Sequence, residues 1–413
     1  MNANAESDSE SNESLHNAIL DDTQEGVEID STEMNTDETS EPTESTFDLT
    51  LPLMHSYLGQ NLEELRGRTI LDDGIYMNLP LLIQKSVLLF PGQILPMTVF
   101  DPETIYMFKN CIENNRTFGV VCLRHDKLGP IGTTAEIYEY TNEDDRDGFR
   151  LKAKGRQRFK ILHVKVQGYS KIATVQILPE TTLGPPLSDE RLASLDSLRI
   201  HPTNEEDIKK LQKVENIDTM ISPWPAWVYR QYNPLRLCIK IRQHLRFIEN
   251  RGGVIPEDPI DLSFWVAQNI LLDDEERAVL LNYNCALSRL QREIKFLIED
   301  RIFVCSNCDF FIGNQSNIFP MSKEGPQGTY CNVGGFIHET ITFYHAQGLE
   351  LSQVPPSTQY SWFPGYAWTI AYCRNCGVHL GWKFTAVENH LEPKAFWGLT
   401  CPKLKSKRKV TNK

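Results

Sequence analysis

Residues 303–400 open on Cys305-Ser306-Asn307-Cys308 and come back to the same device at Cys373-Arg374-Asn375-Cys376, with sixty-four residues between the two pairs. In each Cys-x-x-Cys a tight turn brings two sulfurs to one side. Two such turns offer four soft ligands in a tetrahedron, the arrangement Zn²⁺ prefers. A redox disulfide needs one such pair on a βαβ unit, and this stretch has two pairs and no helical crossover. Cys305, Cys308, Cys373 and Cys376 are therefore read as the ligands of one structural zinc. Four thiolates leave no position for water or substrate, so the ion is expected to hold the fold rather than catalyse. Without it, this part of the chain is expected to lose its order.

Four of the seven tryptophans fall in the same stretch. Trp362 and Trp368 flank the turn signal Pro364-Gly365 in Ser361-Trp362-Phe363-Pro364-Gly365-Tyr366-Ala367-Trp368-Thr369. Trp382 opens an alternating strand with Phe384, which puts both on one face. Two readings stand side by side: a hydrophobic core, or a cage of three indoles and a phenyl ring. A cage of this kind suits methyl-lysine through cation–π attraction. Acids are sparse nearby, which suits better a flat, neutral ring gripped by its faces and read at its edge by backbone groups. Trp397, in Phe396-Trp397-Gly398-Leu399, is read as core.

Taken together, the cysteine pairs, the Ser361–Thr369 run, His338-Glu339-Thr340 and Gly381-Trp382-Lys383-Phe384 resemble the thalidomide-binding zinc domain of the cereblon family. The resemblance implies two β-sheets pinned at the zinc, a β-tent. It implies a ligand pocket of Trp362, Trp368 and Trp382 with Phe384 at its base, Asn332 at its rim, and the backbone of Tyr360 bonding a glutarimide ring. Two departures lie at that rim. Tyr360 stands where vertebrate members carry histidine, and Asn332-Val333-Gly334-Gly335 lacks a proline and a histidine beside the asparagine.

The net charge of −13 is concentrated at one end. Residues 1–46 hold fourteen Asp or Glu, no Lys or Arg and no aromatic residue, so the remaining 367 residues carry about +1. That acidic stretch cannot bury enough apolar area to fold and is expected to be a disordered tail. A nearly neutral remainder gives no reason to expect nucleic acid as a partner. No signal peptide is recognised at Met1, and the longest apolar run, Val87 to Leu95, is interrupted by Pro91-Gly92 and too short to span a bilayer. The other six cysteines are scattered, and an intracellular protein with reduced thiols is expected.

Residues 47–186 read as a β-rich domain. Strands are expected at Leu79–Ile83, Val87–Phe90, Phe118–Leu123, Ala135–Tyr140, Phe149–Ala153, Arg158–Ile161 and Ile172–Leu178, separated by turn signals such as Asn142–Asp145 and Gly155. Their even spacing suggests a closed or half-closed sheet. Phe47 to Gly74 is expected to pack along this domain. Leu79-Pro80-Leu81, Phe90-Pro91-Gly92, Leu95-Pro96-Met97 and Gly155-Arg156-Gln157-Arg158-Phe159 resemble the N-terminal domain of Lon proteases. A Lon motor needs a G-x-x-x-x-G-K-[ST] phosphate loop, and no Gly-Lys-Ser/Thr occurs here.

Leu183-Gly184-Pro185-Pro186 marks a boundary, and residues 187–302 read as a helical bundle. Asp258-Pro259 starts one helix, Asp273–Glu276 another, and Leu287, Leu290, Ile294 and Leu297 line one face of a third. Residues 258–299 resemble the helical half of the Lon N-domain, and 187–248 look like an insertion. Residues 303–400 form the zinc domain. Lys403 to Lys413 read as a basic tail, either a nuclear localisation signal or a solvated end.

The fold class expected is α+β and multidomain: a Lon-N-like β-domain with a helical bundle, then the zinc-pinned two-sheet domain. The cereblon resemblance implies a non-catalytic substrate receptor of a cullin-4-type RING ubiquitin ligase, cytoplasmic and nuclear. The inserted helices would bind the β-propeller adaptor, and through it cullin-4 and the RING subunit. The aromatic cage would take glutarimide drugs or proteins ending in a cyclised Gln or Asn. Two competitors stand beside it. One is the methyl-lysine reader. The other is a methionine sulfoxide reductase-like enzyme, whose nucleophile would have to be Cys331 or Cys401, although neither lies in the Arg-x-Cys-x-Asn setting those enzymes use.

Overall fold

The computed structural model describes residues 46–85, 87–124, 126–141, 148–167, 170–182, 192–199, 204–220 and 222–409. The expected acidic tail up to Ser45, the Asn142–Asp145 turn and the Leu183–Pro186 boundary lie outside these residues.

Eight strands make up the first β-rich part: β1 (Glu63–Glu64), β2 (Ile75–Gln84), β3 (Ile94–Val99), β4 (Thr117–Arg124), β5 (Lys127–Leu128), β6 (Ile131–Tyr140), β7 (Phe149–Gln167) and β8 (Ser170–Leu178). Five of them close on themselves in the order β6, β4, β2, β8, β7 and back to β6. Neighbours are antiparallel except β2 and β4. Closure is the state in which strands rich in inward Val, Ile and Phe leave no unpaired edge. Two clusters of buried side chains pack on the strands: Leu79, Leu81, Phe159, Val175 and Ile177 form one, and Leu95, Phe108, Phe118, Ile137 and Leu151 form the other.

Three expectations here are corrected. Val87–Phe90 is buried but is not a strand, because side chains rather than a neighbouring strand take its backbone groups: Thr133 Oγ1 donates to Leu89 O and Arg277 Nη2 to Leu88 O. Phe149–Ala153 and Arg158–Ile161 are parts of one strand, β7. Gly155 is not a turn within it; a Cβ there would lie 2.3 Å from Phe90 O, so glycine serves close backbone approach. A helix at Pro102–Glu113 was not anticipated, although Asp101 caps it through Thr104 N and Pro102 occupies its first turn.

The helices that follow are Glu205–Thr219, Ala226–Gln231, Pro234–His244, Arg246–Glu249, Pro259–Asn269, Asp274–Asn282 and Ala286–Ile298. Asp258 and Asp273 cap two of them as the sequence predicts. Leu287, Leu290 and Leu297 are buried against Leu237, Ile241 and Val266, with Ile294 at the edge of that core.

Nine further strands make two sheets. One has three strands: β9 (Arg301–Cys305) lies between β10 (Phe311–Asn314) and β17 (Leu404–Arg408). The other has six, in the order β11 (Gln327–Cys331), β12 (Ile337–Phe343), β16 (Ala395–Thr400), β15 (His379–Ala386), β14 (Tyr366–Cys373) and β13 (Leu349–Leu351). The expected basic tail is thus partly structural. Leu404 to Arg408 pair residue by residue with Cys305 to Arg301, and Lys405 and Lys407 lie near Asp309.

The segment after Thr46 does not run along the barrel alone. Phe47 packs edge-on to Tyr366 at 5.4 Å, Lys323 N donates to Leu49 O, and Cys331 N donates to Tyr57 Oη at 3.1 Å. Lys152 Nζ of β7 donates to Met54 O at 2.7 Å, so the segment touches barrel and six-stranded sheet alike. Phe47 does this because its ring finds a larger aromatic cluster there than the barrel surface offers. A second tie is charged. Arg277 grips both oxygens of Glu339 on β12, at 2.5 and 2.7 Å, with both residues buried. Among the described residues no helix is long and apolar enough to cross a membrane.

Glu293 sits on the Ala286–Ile298 helix with no exposure and no hydrogen-bond partner among the described residues. Burial holds its carboxyl well above the usual range, against a smaller opposing effect of Arg289. A raised carboxyl pKa contributes stability at low pH that is lost as pH rises through the folded value. We expect Glu293→Met to stabilise the chain by about 1–3 kcal/mol. The gain in Tm over the parent protein should be larger at pH 8 than at pH 5.

Candidate functional site

Each cysteine pair ends a strand in the same way. Cys305 closes β9 and Cys373 closes β14. The amides of Asn307 and Cys308 point at the Cys305 sulfur, and those of Asn375 and Cys376 at the Cys373 sulfur. Asp309 and Gly377 take matching left-handed positions and bond back to Cys305 O and Cys373 O. The two knuckles face each other: Cys305 Sγ lies 3.7 Å from Cys376 Sγ, and Cys308 Sγ lies 3.6 Å from Cys373 Sγ. All four sulfurs fall within 4.8 Å of one another. A tetrahedron with ~2.3 Å Zn–S bonds has edges of about 3.8 Å, so the four thiols fit one zinc ion. Hydrogen bonding, first from the Asn307 side chain, pulls the Cys376 thiol down to about 6, toward the thiolate a metal needs. One knuckle belongs to each sheet, so one ion pins the two together.

The aromatic residues gather on the six-stranded sheet. Trp362 and Trp382 meet edge to face at 4.6 Å, and Phe384 lies beneath Trp362 at 6.4 Å. Phe384 stacks on Phe396 at 5.1 Å. The bend at Gly381 allows this, because a Cβ there would fall 2.2 Å from Gly398 O, and its φ of +150° is open to glycine. Trp368 pairs with Phe384 across β14 and β15, and its indole N–H donates to Gln359 O at 2.9 Å. That bond ties the Trp368 wall to the Thr358–Ser361 turn, where Tyr360 takes a left-handed φ of +54°. Such a conformation is rare for a bulky side chain and occurs where the surroundings force it. Asn332 lies at the end of β11, its Oδ1 accepting from Phe336 N.

The structure therefore brings Trp362, Trp382 and Phe384 together, with Trp368 on the neighbouring strand and Asn332 and Tyr360 on adjoining loops. Trp362 and Phe384 are core residues, and Trp368 and Trp382 pack against that core. Trp362 is 6% exposed and its indole donates to Cys331 O, whereas Trp368 and Trp382 are only half-buried. Trp397 is also half-buried, beneath the Lys383 ammonium.

Three further residues belong to this site. Tyr330 stacks on Trp362 at 4.9 Å and 10°. His338 and His379 meet Trp382 edge-on at 5.0 and 4.8 Å. His338 was visible in the His338-Glu339-Thr340 motif without a role, and the other two gave no local signal. Burial, then repulsion from His379, pushes His338 down to about 4, so it is neutral at pH 7. Burial also lowers His379. Nδ2 of Asn332 faces His338 Nε2 at 3.5 Å, which suits a neutral imidazole as acceptor. The nearest carboxylate in the His-Glu-Thr motif, Glu339, is turned away and held by Arg277.

Fold and site define a chain built from a substrate-binding module of the Lon type and a zinc-binding two-sheet module. Residues 78–299 match the family described as the ATP-dependent protease La (LON) substrate-binding domain. Residues 301–412 match the family described as Yippee zinc-binding/DNA-binding/Mis18, centromere assembly. Protein cereblon of Gallus gallus is 39% identical over 88% of this chain and 85% of that protein. Those of Xenopus tropicalis and Danio rerio are 36% and 37% identical, over 94% and 91% of this chain and 90% and 92% of theirs. The chain belongs to the cereblon family.

The metal should be measurable as one zinc per chain. We expect chelation, or Cys376→Ser, to abolish the cooperative unfolding of residues 301–408 and to shift tryptophan emission to the red. Far-ultraviolet circular dichroism should retain the helical signal of residues 205–298.

Proposed function

We propose that this chain is the substrate-recognition subunit of a cullin-4-type RING ubiquitin ligase, itself without catalysis, working in cytoplasm and nucleus. The cage captures a cyclic imide, either a glutarimide drug or the cyclised Gln or Asn at the end of a damaged protein. One observation carries this reading: the cage walls are aromatic and uncharged, burial biases its two histidines toward the neutral form, and Glu339 next to His338 is held by Arg277. Such walls favour a flat neutral ring over a quaternary ammonium, which draws much of its affinity from nearby negative charge. The reductase-like alternative is disfavoured, because Cys331 and Cys401 are both buried and burial raises both thiols, leaving little thiolate to attack.

The adaptor-binding part of the proposal rests on the inserted helices. Met220, Trp224, Trp227 and Tyr232 are all more than half exposed. Large aromatics clustered on a surface mark an interface. Held there by a β-propeller adaptor, the chain would bring captured proteins to the charged ubiquitin carrier, raising the local concentration of their lysines.

Two measurements test these parts separately. In a titration followed by tryptophan fluorescence, a glutarimide should bind saturably and a ring-opened glutamine-ended peptide should not. Trp382→Ala should weaken the ring by about ten-fold or more. Equal binding of trimethyl-lysine and glutarimide would reject the imide reading. In the second test, Trp224→Asp with Trp227→Asp should release the chain from the adaptor in a pull-down while ring binding persists. Full retention would move the adaptor site elsewhere.

A further inference from the structure

Between the helices Glu205–Thr219 and Ala226–Gln231 the chain reads Ser222-Pro223-Trp224-Pro225. Ser222-Pro223 is the single place in the 413 residues where a Ser or Thr precedes a proline. Ser222 and Trp224 each stand before a proline and are thereby biased to extended backbone, while Pro223 and Pro225 have no N–H to give to a helix. Pro225 is itself extended, with φ −66° and ψ 154°. Pro223, Trp224 and Pro225 are exposed, and Ser222 is half-buried. An exposed Ser-Pro outside helix and strand is the form read by proline-directed protein kinases, which select a residue without an N–H after the acceptor hydroxyl.

The Ser222 hydroxyl already has a structural task. Its proton is shared between Thr219 O at 3.1 Å and Trp224 O at 2.9 Å. Thr219 O is one of the carbonyls left without a helical partner where Glu205–Thr219 ends, and the Ser222 amide donates to it as well, at 3.1 Å. One residue thus closes the helix and fixes the backbone of Trp224, in a stretch whose exposed side chains include Met220, Trp224 and Trp227. Arg230, the cation on the helix that follows, is already bonded to Glu215 and Asn216.

We propose that Ser222 is a phosphorylation site, at which a proline-directed kinase switches off the adaptor-binding face. This rests on the inserted helices holding the adaptor. The kinase moves the γ-phosphoryl group of ATP. A bond forms between Ser222 Oγ and that phosphorus, the bond from the phosphorus to its bridging oxygen breaks, ADP leaves, and the hydroxyl proton passes to the kinase's catalytic carboxylate. The resulting ester oxygen has no proton to donate, so the bonds to Thr219 O and Trp224 O are lost. The phosphate also brings about −1.5 to −2 charges to the carbonyl end of a helix. Helix carbonyls repel that charge, and an apolar partner surface cannot solvate it. Trp224 loses its anchor, and the face loses its fit to the adaptor.

The test uses the full-length, zinc-loaded chain, ATP, a purified proline-directed kinase and the purified adaptor. Mass spectrometry should find phosphate on Ser222, and none there in Ser222→Ala or Pro223→Ala. Phosphorylation should weaken adaptor binding by about ten-fold or more, and phosphatase treatment should restore it. Pro223→Ala keeps the hydroxyl, and its adaptor affinity should not respond to kinase treatment. Zinc content should be the same before and after phosphorylation. Absence of phosphate on Ser222 overturns the proposal, as does a phosphorylated chain that holds the adaptor as tightly as the unmodified one. Loss of zinc together with the adaptor overturns it too, because the change would then be unfolding rather than a local switch. Failure of the unmodified chain to bind the adaptor rejects the adaptor reading itself, and the switch with it.

Discussion

Four sulfurs converging on one point hold the C-terminal third of this protein together. The three-stranded sheet buries Phe303, Cys305, Ile312 and Leu404 in one cluster with Ile341, Phe343 and Leu399 of the second sheet. The Cys305–Cys308 knuckle ends a strand of one sheet and the Cys373–Cys376 knuckle a strand of the other. Sharing a metal therefore sets the angle between them. The cage depends on that setting. β14 leads into the second knuckle and carries Trp368, and β15 leaves it carrying Trp382 and Phe384. A shift at the metal would move the walls carried by β14 and β15, Trp368, Trp382 and Phe384.

The rest of the cage is supported from the other side of the molecule. Tyr57 accepts from the Cys331 amide, and Cys331 O accepts from the Trp362 indole, so the segment after Thr46 is two hydrogen bonds from the cage wall. Tyr57 Oη donates to His55 Nδ1 at 3.0 Å, and burial holds that imidazole down at about 3, which keeps it neutral as an acceptor. The Arg277–Glu339 pair adds a buried, bidentate link between the Asp274–Asn282 helix and β12. Such a pair stabilises little in net terms, but losing one partner leaves a buried charge, so it specifies one arrangement. Aromatic stacking, backbone bonds and one ion pair thus join parts of the chain that lie far apart in sequence.

Electrostatics narrow what the cage suits. The net negative charge of the chain is concentrated before Phe47, the carboxylate next to His338 in sequence is paired with Arg277, and both cage histidines are biased toward the uncharged form. What remains is a cluster of uncharged aromatic side chains, with Asn332 and Tyr360 on the adjoining loops.

Much of this was legible in the amino-acid order. Metal ligation follows from local spacing, since a Cys-x-x-Cys turn places its two sulfurs without help from distant residues. Alternation put Trp382 and Phe384 on one face, Asp-Pro and Asp-acid runs marked helix starts, and closely spaced strands pointed to a closed sheet. Elsewhere a local signal was present and outweighed. Gly155 looks like a turn but serves a backbone contact with Phe90, Val87–Phe90 looks like a strand but is bonded by side chains, and the basic end pairs with β9. Tyr330 on β11 reaches Trp362, and His338 on β12 reaches Trp382 on β15, only through the tertiary fold. Local order marked the two cysteine pairs, most of the strands and the caps at Asp258 and Asp273, because each depends on neighbours a few residues away. Which residues surround the cage was decided by the tertiary structure, because that depends on surfaces brought together from hundreds of residues apart.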